Sequence, residues 1–186
     1  MLAAGTQHGA RGGADTGTPW NRSLSQSDLV DQPSDISIRA ERFDSADAGR
    51  LIAALDASLS ELYPPEQRFG PNLKAEHLED GHGSFFVARE GERAIGCGAV
   101  RLLDSATAEA KRMYVESGYR GKGIGARVLV AIEAAARELG ARHLVLETGV
   151  YQQAAISLYR SAGFKQIDCC GEYAASPTSV CFEKIL

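Results

Sequence analysis

The chain has 186 residues, 44% of them apolar and 24% charged, which suits one globular domain with a sizeable core and excludes two full ones. A formal net charge of -4 and a pI near 5.6 exclude broad electrostatic binding to nucleic acid; only a local basic group, Lys111, Arg112, Arg120 and Lys122, remains, and it suits a small polyanion. No apolar run approaches the roughly 20 residues that cross a bilayer, and the N-terminus lacks the basic-then-apolar order of a signal peptide, so the expectation is a soluble cytoplasmic protein with no membrane partner.

Residues 1–35 are rich in Gly, Ala, Ser, Thr, Gln and Asp, with Trp20 their only large aromatic ring. Such a segment buries too little surface to order itself and is expected to be a disordered tail ahead of a domain at 36–186. The rival is that Trp20 and Leu24 dock on the domain. From Ile36 an alternating strand pattern begins, and Asp44-Ser45-Ala46-Asp47 then reads as a helix start. Leu51, Ile52, Leu55, Leu59 and Leu62 follow at helical spacing, and Pro64-Pro65 stops the helix. A second short helix is expected over 73–78.

Residues 84–89 and 94–103 read as an antiparallel hairpin turning at Glu90-Gly91-Glu92-Arg93. A further strand covers 107–115. A glycine loop comes next, then a helix whose Ile124, Val128, Ile132, Ala135 and Leu139 share one face and whose end falls at Gly140. Residues 143–147 form a short buried strand, 152–162 a helix closed by Gly163, and 164–169 and 178–184 the last strands. This order predicts a mixed sheet with helices on its faces. The four cysteines, Cys97, Cys169, Cys170 and Cys181, show no CxxC spacing, and adjacent Cys169 and Cys170 would point to opposite faces of a strand. They are expected to be reduced.

The stretch Val115-Glu116-Ser117-Gly118-Tyr119-Arg120-Gly121-Lys122-Gly123-Ile124-Gly125-Ala126 carries the chemistry. Glycines let a backbone come close to a ligand, and the first N–H groups of the following helix have no intrahelical partner; together they make an anion site, most simply for a pyrophosphate. A dinucleotide fingerprint fits Gly121-x-Gly123-x-x-Ala126 with Glu147 as the ribose acid, but that fingerprint wants its first glycine directly at the end of an apolar strand. Here 116–120 is a polar spacer carrying a cation. A Walker loop fails for want of GxxxxGK before Ser or Thr. A plain joining turn has no need of four glycines, each of which costs unfolded-state entropy.

The same stretch resembles the V-x-P-x-[YF]-[RQ]-G-x-G-[IV]-[GA] signature of the GNAT superfamily of acyl-CoA-dependent N-acyltransferases. Downstream, Gln152-Gln153-Ala154-Ala155-Ile156-Ser157-Leu158-Tyr159-Arg160-Ser161-Ala162-Gly163-Phe164 is similar to that family's N-x-x-A-[IL]-x-L-Y-x-x-x-G-F helix. Ser117 stands where proline is usual and Gln152 where asparagine is usual. The resemblance covers about 36–186. It implies an α/β (α+β) fold, with a mixed, mostly antiparallel sheet of six to seven strands flanked by about four helices and a splay between the central strands. It also implies an N-acetyltransferase that moves an acetyl group from acetyl-CoA to a primary amine of a small molecule, or of a peptide or protein, by direct attack. The alternative is a non-catalytic acyl-CoA-binding regulatory domain.

Carried onto this chain, the resemblance has Arg120, Gly121, Lys122, Gly123, Ile124, Gly125 and Ala126 hold the coenzyme A pyrophosphate. Met113, Tyr114 and Val115 border the pantetheine arm and polarise the thioester carbonyl, and Gln152 and Tyr159 contact the cofactor from the later helix. An alkylamine must lose a proton before it attacks, and Glu109, placed one strand-length before the loop on the face expected for Met113, is the first candidate base. Glu147 is the second, with Glu79 and Asp80 behind them. Tyr159 matches the family tyrosine that protonates the departing thiolate. The acceptor pocket is expected from 59–78 and 171–178, with Tyr63, Arg68, Phe69 and Tyr173 lining it. Neither His77 nor His82 falls in a metal-ligand spacing, so no metal is expected. A homodimer stays open.

Overall fold

The computed structural model describes residues 36–67, 73–79 and 81–186; the expectations for the tail at 1–35, and for Arg68, Phe69 and Asp80, lie outside the described residues. The strands are β1 (Ile36–Glu41), β2 (Gly83–Glu90), β3 (Arg93–Leu102), β4 (Thr107–Val115), β5 (His143–Gly149), β6 (Lys165–Ile167) and β7 (Ser179–Ile185). The helices are α1 (Ala46–Leu62), α2 (Ile124–Glu138) and α3 (Gln153–Ser161). The strands form one seven-stranded sheet in the order β1-β2-β3-β4-β5-β7-β6. Every pairing is antiparallel except β4 with β5.

Local chemistry accounts for the elements. The Ser45 hydroxyl accepts from the Ala48 N–H at 3.1 Å and caps α1, whose Leu51 and Leu55 are buried. Apolar residues of α2 (Ile124, Val128, Ile132) pack with Val100, Ala108, Ala110, Leu144 and Phe182 on one side of the sheet. Ala48 and Leu51 of α1 pack with Phe85, Val87, Cys97 and Ala99 on the other. Because strand side chains alternate, Arg101, Glu109 and Glu147 lie on the α1 side, opposite to Ala108, Ala110 and Leu146.

Three expectations are corrected. Residues 73–78 make only a 3-10 turn, Ala75–His77, because so short a segment lacks the apolar face that would hold a helix to the sheet. The strand expected over 164–169 is paired only over Lys165–Ile167, at the sheet edge. The cysteines are not all reduced: Cys169 is bonded to Cys181, while Cys97 is buried and free and Cys170 exposed and free. Pairing of Ile167 with Cys181 brings Cys169 to 5.2 Å from Cys181 between Cα atoms, a separation that permits a bridge. Composition and spacing could not disclose that neighbourhood.

Candidate functional site

The site is built at the centre of the sheet, where two parallel strands part. Rungs between β4 and β5 run from Thr107↔His143 to Ala110↔Leu146 and stop there. Beyond that point the β5-facing edge of β4, from Lys111 to Val115, has no strand partner among the described residues. Backbone N–H and C=O groups left open along such an edge invite an extended ligand, as an added strand would be invited.

A β-bulge helps to part the strands. Cys97 pairs with Tyr114 and Ala99 with Lys111, so Arg112 and Met113 together oppose Gly98 alone. Arg112 has φ +56, the only positive value among the described non-glycine residues. The buried Cys97 thiol donates to the Arg112 carbonyl at 3.4 Å, and burial pushes that thiol's pKa up to about 12, so it stays an inert hydrogen-bond donor. The extra residue also changes the parity of the strand. Met113 turns to the α2 side, where its sulfur would lie 2.7 Å from a Cβ on Gly98, so it does not share the face of Glu109.

After β4 a 3-10 turn, Ser117–Tyr119, leads to Gly121 at φ +78 and Gly123 at φ +76, and α2 begins at Ile124. Both glycines occupy left-handed geometry that other residues adopt at a cost. No side chain caps α2, so the N–H groups of Ile124, Gly125 and Ala126 have no acceptor within the helix. Arg120 and Lys122 stand on the same loop. The Arg120 guanidinium donates through Nε to the Val115 carbonyl at 3.0 Å and lies 5.8 Å from the Tyr114 ring; the Lys122 ammonium lies 5.2 Å from the Tyr119 ring. The Val115 carbonyl is thus shared with Arg120.

The carboxylates differ in environment. Glu109 is 3% exposed and fully engaged: Arg101 reaches its Oε2 from Nε at 2.8 Å and Nη2 at 2.7 Å, and its Oε1 accepts from Lys111 at 3.2 Å and from the Tyr173 hydroxyl at 2.9 Å. Tyr173 also accepts from Lys111 at 2.7 Å. Glu147 sits half-buried just past the last β4–β5 rung and accepts from Ser179 at 2.5 Å, with Ser176 Oγ 2.8 Å behind Ser179. Burial pushes the Glu147 carboxyl above its ordinary range, and the Glu109 charge adds to this, while the Ser179 hydrogen bond and the Lys111 charge oppose it. Burial also lowers the Lys111 ammonium, against the pull of Glu109.

Tyr159 lies on the α2 side, 4% exposed, its ring 5.9 Å from Phe164 and 6.0 Å from Phe182. Burial, with the Glu147 charge behind it, raises its hydroxyl above the ordinary phenol range, so the proton stays on oxygen. Gln152 uses its amide oxygen locally, accepting from the Gly149 N–H at 2.9 Å and the Thr148 hydroxyl at 3.2 Å, which leaves its NH2 group to turn outward. Tyr63, expected to line the pocket, is buried and accepts from the Tyr151 N–H at 2.9 Å; a Cβ on Gly149 would come to 2.0 Å from its oxygen. It braces the end of β5. Among the described residues the hydrogen bonds of Glu79 are made by its backbone carbonyl, to His82.

Arg101 and Ser179 were not among the expected site residues, while Ser176 lies within the expected 171–178 segment without having been named. Arg101 was accessible in principle, since the hairpin alternation and the β3–β4 register set it across from Glu109. Ser176 lies in the loop before β7 and Ser179 opens β7, so their placement depends on the pairing of β7 with β5.

A model of the acetyltransferase (GNAT) family matches residues 51–164. The chain belongs to that family. It is 41% identical over 138 residues to the IAA acetyltransferase of Azospirillum brasilense, covering 74% of this chain and 89% of that one. It is 33% identical to a Klebsiella pneumoniae structure described as an acyl-CoA N-acyltransferase, with a TM-score of 0.69 over 82% of this chain and 99% of that one. A GNAT family acetyltransferase from Elizabethkingia anophelis, crystallised with acetyl-CoA bound, shares the fold at a TM-score of 0.60 and 20% identity, covering 83% of this chain and 100% of that one.

As a GNAT enzyme the protein is an acyl-CoA N-acyltransferase, and acetyl-CoA is the co-substrate of the family. Its residues fit that group on two independent features, an uncapped helix start with two left-handed glycines and a strand edge opened by the bulge. Among the described residues no helix is long and apolar enough to cross a membrane.

Proposed function

We propose that the protein acetylates a primary amine of a small molecule, with Glu147 taking the proton from the amine and Tyr159 holding a proton for the departing sulfur. The observation that carries this reading is the position of Glu147 at the fork, where β4–β5 pairing ends, with a carboxyl whose proton affinity is raised by burial. A base for an ammonium works best when its pKa approaches the working pH, and Glu147 is moved in that direction. Glu109, the first expectation, is instead committed to Arg101, Lys111 and Tyr173. Two cations and a hydroxyl occupy both of its oxygens, so it organises the site.

When bound, acetyl-CoA supplies the thioester carbon that the amine nitrogen attacks. The N–H groups of Ile124, Gly125 and Ala126, with Arg120 and Lys122, would hold its pyrophosphate; Gly121 and Gly123 allow the turn that presents them. The open edge of β4 at Met113, Tyr114 and Val115 would hold the pantetheine arm, and the NH2 group of Gln152 is available to it. The Tyr159 hydroxyl has no hydrogen-bond acceptor among the described residues and keeps its proton, the state needed to donate to a thiolate.

The test is a thiol-release assay with acetyl-CoA over a panel of primary amines, run beside acetylation of peptides. Turnover with small amines supports the reading. Binding of coenzyme A by calorimetry, with no turnover on any small amine or peptide, would sink it in favour of a non-catalytic acyl-CoA-binding domain. Turnover on peptides alone would move the acceptor to a protein amine.

A further inference from the structure

Resting on the reading of Glu147 as the base, we infer that the acceptor is a zwitterion, a short amino acid whose carboxylate is bound by Lys111 and whose amine is presented to Glu147. The argument begins with charge. Among the described residues the buried cluster on the α1 side of the sheet contains two cations, Arg101 and Lys111, whose side chains are 14% and 11% exposed, and they share one buried carboxylate, Glu109. His77 lies 3.5 Å from Arg101 and brings no negative charge. Among the described residues the other acid acting on Lys111 is Glu147.

Once an amine has entered, one proton is shared between Glu147 and the nitrogen, and its location does not alter the total. Arg101 and Lys111 contribute two positive charges and Glu109 one negative; the Glu147–amine pair with its proton contributes either a neutral acid and a neutral amine, or a carboxylate and an ammonium. The sum is one positive charge in excess in a partly buried site, where an unmatched charge is costly. The neighbouring strand cations on this side are matched elsewhere: Arg112 Nη1 donates to Asp56 at 2.7 Å, and Arg89 is bonded to Glu41 and Asp47. A neutral-tailed amine leaves the excess in place. An amino acid brings the missing negative charge with it.

Placement supports the same assignment. Lys111 and Glu147 each follow directly on the last rung, Ala110↔Leu146, so they stand side by side at the mouth of the fork and on one face. At that rung neighbouring strands lie about 5 Å apart, so the two side chains start side by side, a placement that suits the two ends of a short amino acid. Lys111 is held but not saturated there: its ammonium has three donors, and Glu109 and Tyr173 take two. The carboxylate would accept the third.

The experiment measures kcat/KM for matched acceptors in the full-length protein, alanine against ethylamine and phenylalanine against phenethylamine, with alaninamide as an uncharged control. The expected result is at least a tenfold preference for the amino acids over their decarboxylated partners. Lys111→Met should bring the ratio near one, Lys111→Arg should keep most of it, and the dissociation constant for coenzyme A should stay within twofold in both. Since Glu109 keeps Arg101 and Tyr173 in Lys111→Met, the fold should survive, and circular dichroism checks this. Equal or better turnover of the amines without a carboxylate overturns the zwitterion inference and leaves the acetyltransferase reading intact. A preference that persists in Lys111→Met overturns the role of Lys111. No turnover on any acceptor overturns both readings together.

Discussion

Glu147 and Cys181 are Cα partners in the antiparallel β5–β7 ladder, so the disulfide from Cys181 to Cys169 lies on the same face of the sheet as the Glu147 carboxylate. The segment between the two cysteines, a separation of 12 residues, carries Tyr173 to Glu109 and Ser176 and Ser179 to Glu147. One covalent link therefore anchors the loop that supplies partners to both acids. Reduction, or replacement of Cys169 and Cys181 by serine, is expected to lower stability by about 3 kcal/mol through release of a loop of this size. The KM for the acceptor should rise while the affinity for coenzyme A, which depends on a different loop, holds. An unchanged melting temperature and KM would show that the loop is held without the bridge.

The two carboxylates should separate under mutation. Glu147→Gln removes the proposed base and is expected to lower turnover about 100-fold or more. Glu109→Gln leaves Arg101 and Lys111 facing a neutral amide, so it is expected to cost about 3 kcal/mol or more of stability, read by denaturant titration. If instead Glu109→Gln abolished turnover at wild-type stability, the roles would have to be exchanged.

The pH dependence has a definite sign. Glu147 acts when ionised, so kcat/KM should climb with pH, and because burial raises its carboxyl the climb should lie above the value of about 4.3 typical of glutamate. A folded-state pKa above the unfolded value also means that the Glu147 contribution to stability is fully present below the unfolded pKa and lost as pH rises through the folded one. Glu147→Gln should flatten both dependences. A limb that stays put in Glu147→Gln belongs to another group.

Gly123 tests the phosphate loop. Proline is confined near φ -65° and lacks an N–H, whereas Gly123 has φ +76, so Gly123→Pro should weaken coenzyme A binding by about 3 kcal/mol, or roughly 100-fold. Gly118→Ala is the control, since an added Cβ there meets no atom within 4 Å and the affinity should not change. Calorimetry gives both values.

Tyr159→Phe keeps the ring packed against Phe164 and Phe182 and removes only the hydroxyl. Turnover is expected to fall about 100-fold with the coenzyme A dissociation constant within twofold. Wild-type turnover with a poor thiol leaving group would reduce Tyr159 to a packing residue.

Features encoded within a few residues could be read directly from the sequence. The hydrophobic periods of α1 and α2, the hairpin of β2 and β3, and the glycine loop at the start of α2 depend on local backbone preference and on spacing, and each stands where the pattern put it. The family signature was legible for the same reason, since a phosphate-holding turn needs its glycines and cation side by side. The division of labour between Glu109 and Glu147 was not, because it rests on partners far along the chain: Arg101 across the β3–β4 register, Tyr173 from the loop after β6, Ser179 from β7. The same holds for Met113, which a single bulged residue at Arg112 turned to the opposite face, and for Cys169 and Cys181, which only strand pairing brings together. Local sequence determined that a glycine turn carrying two cations opens α2 and where it lies. The tertiary register alone decided which acid is gripped by Arg101, Lys111 and Tyr173 and which has its proton affinity raised, because the proton affinity of the Glu147 carboxyl is set by the burial and charges around it and not by its neighbours in the chain.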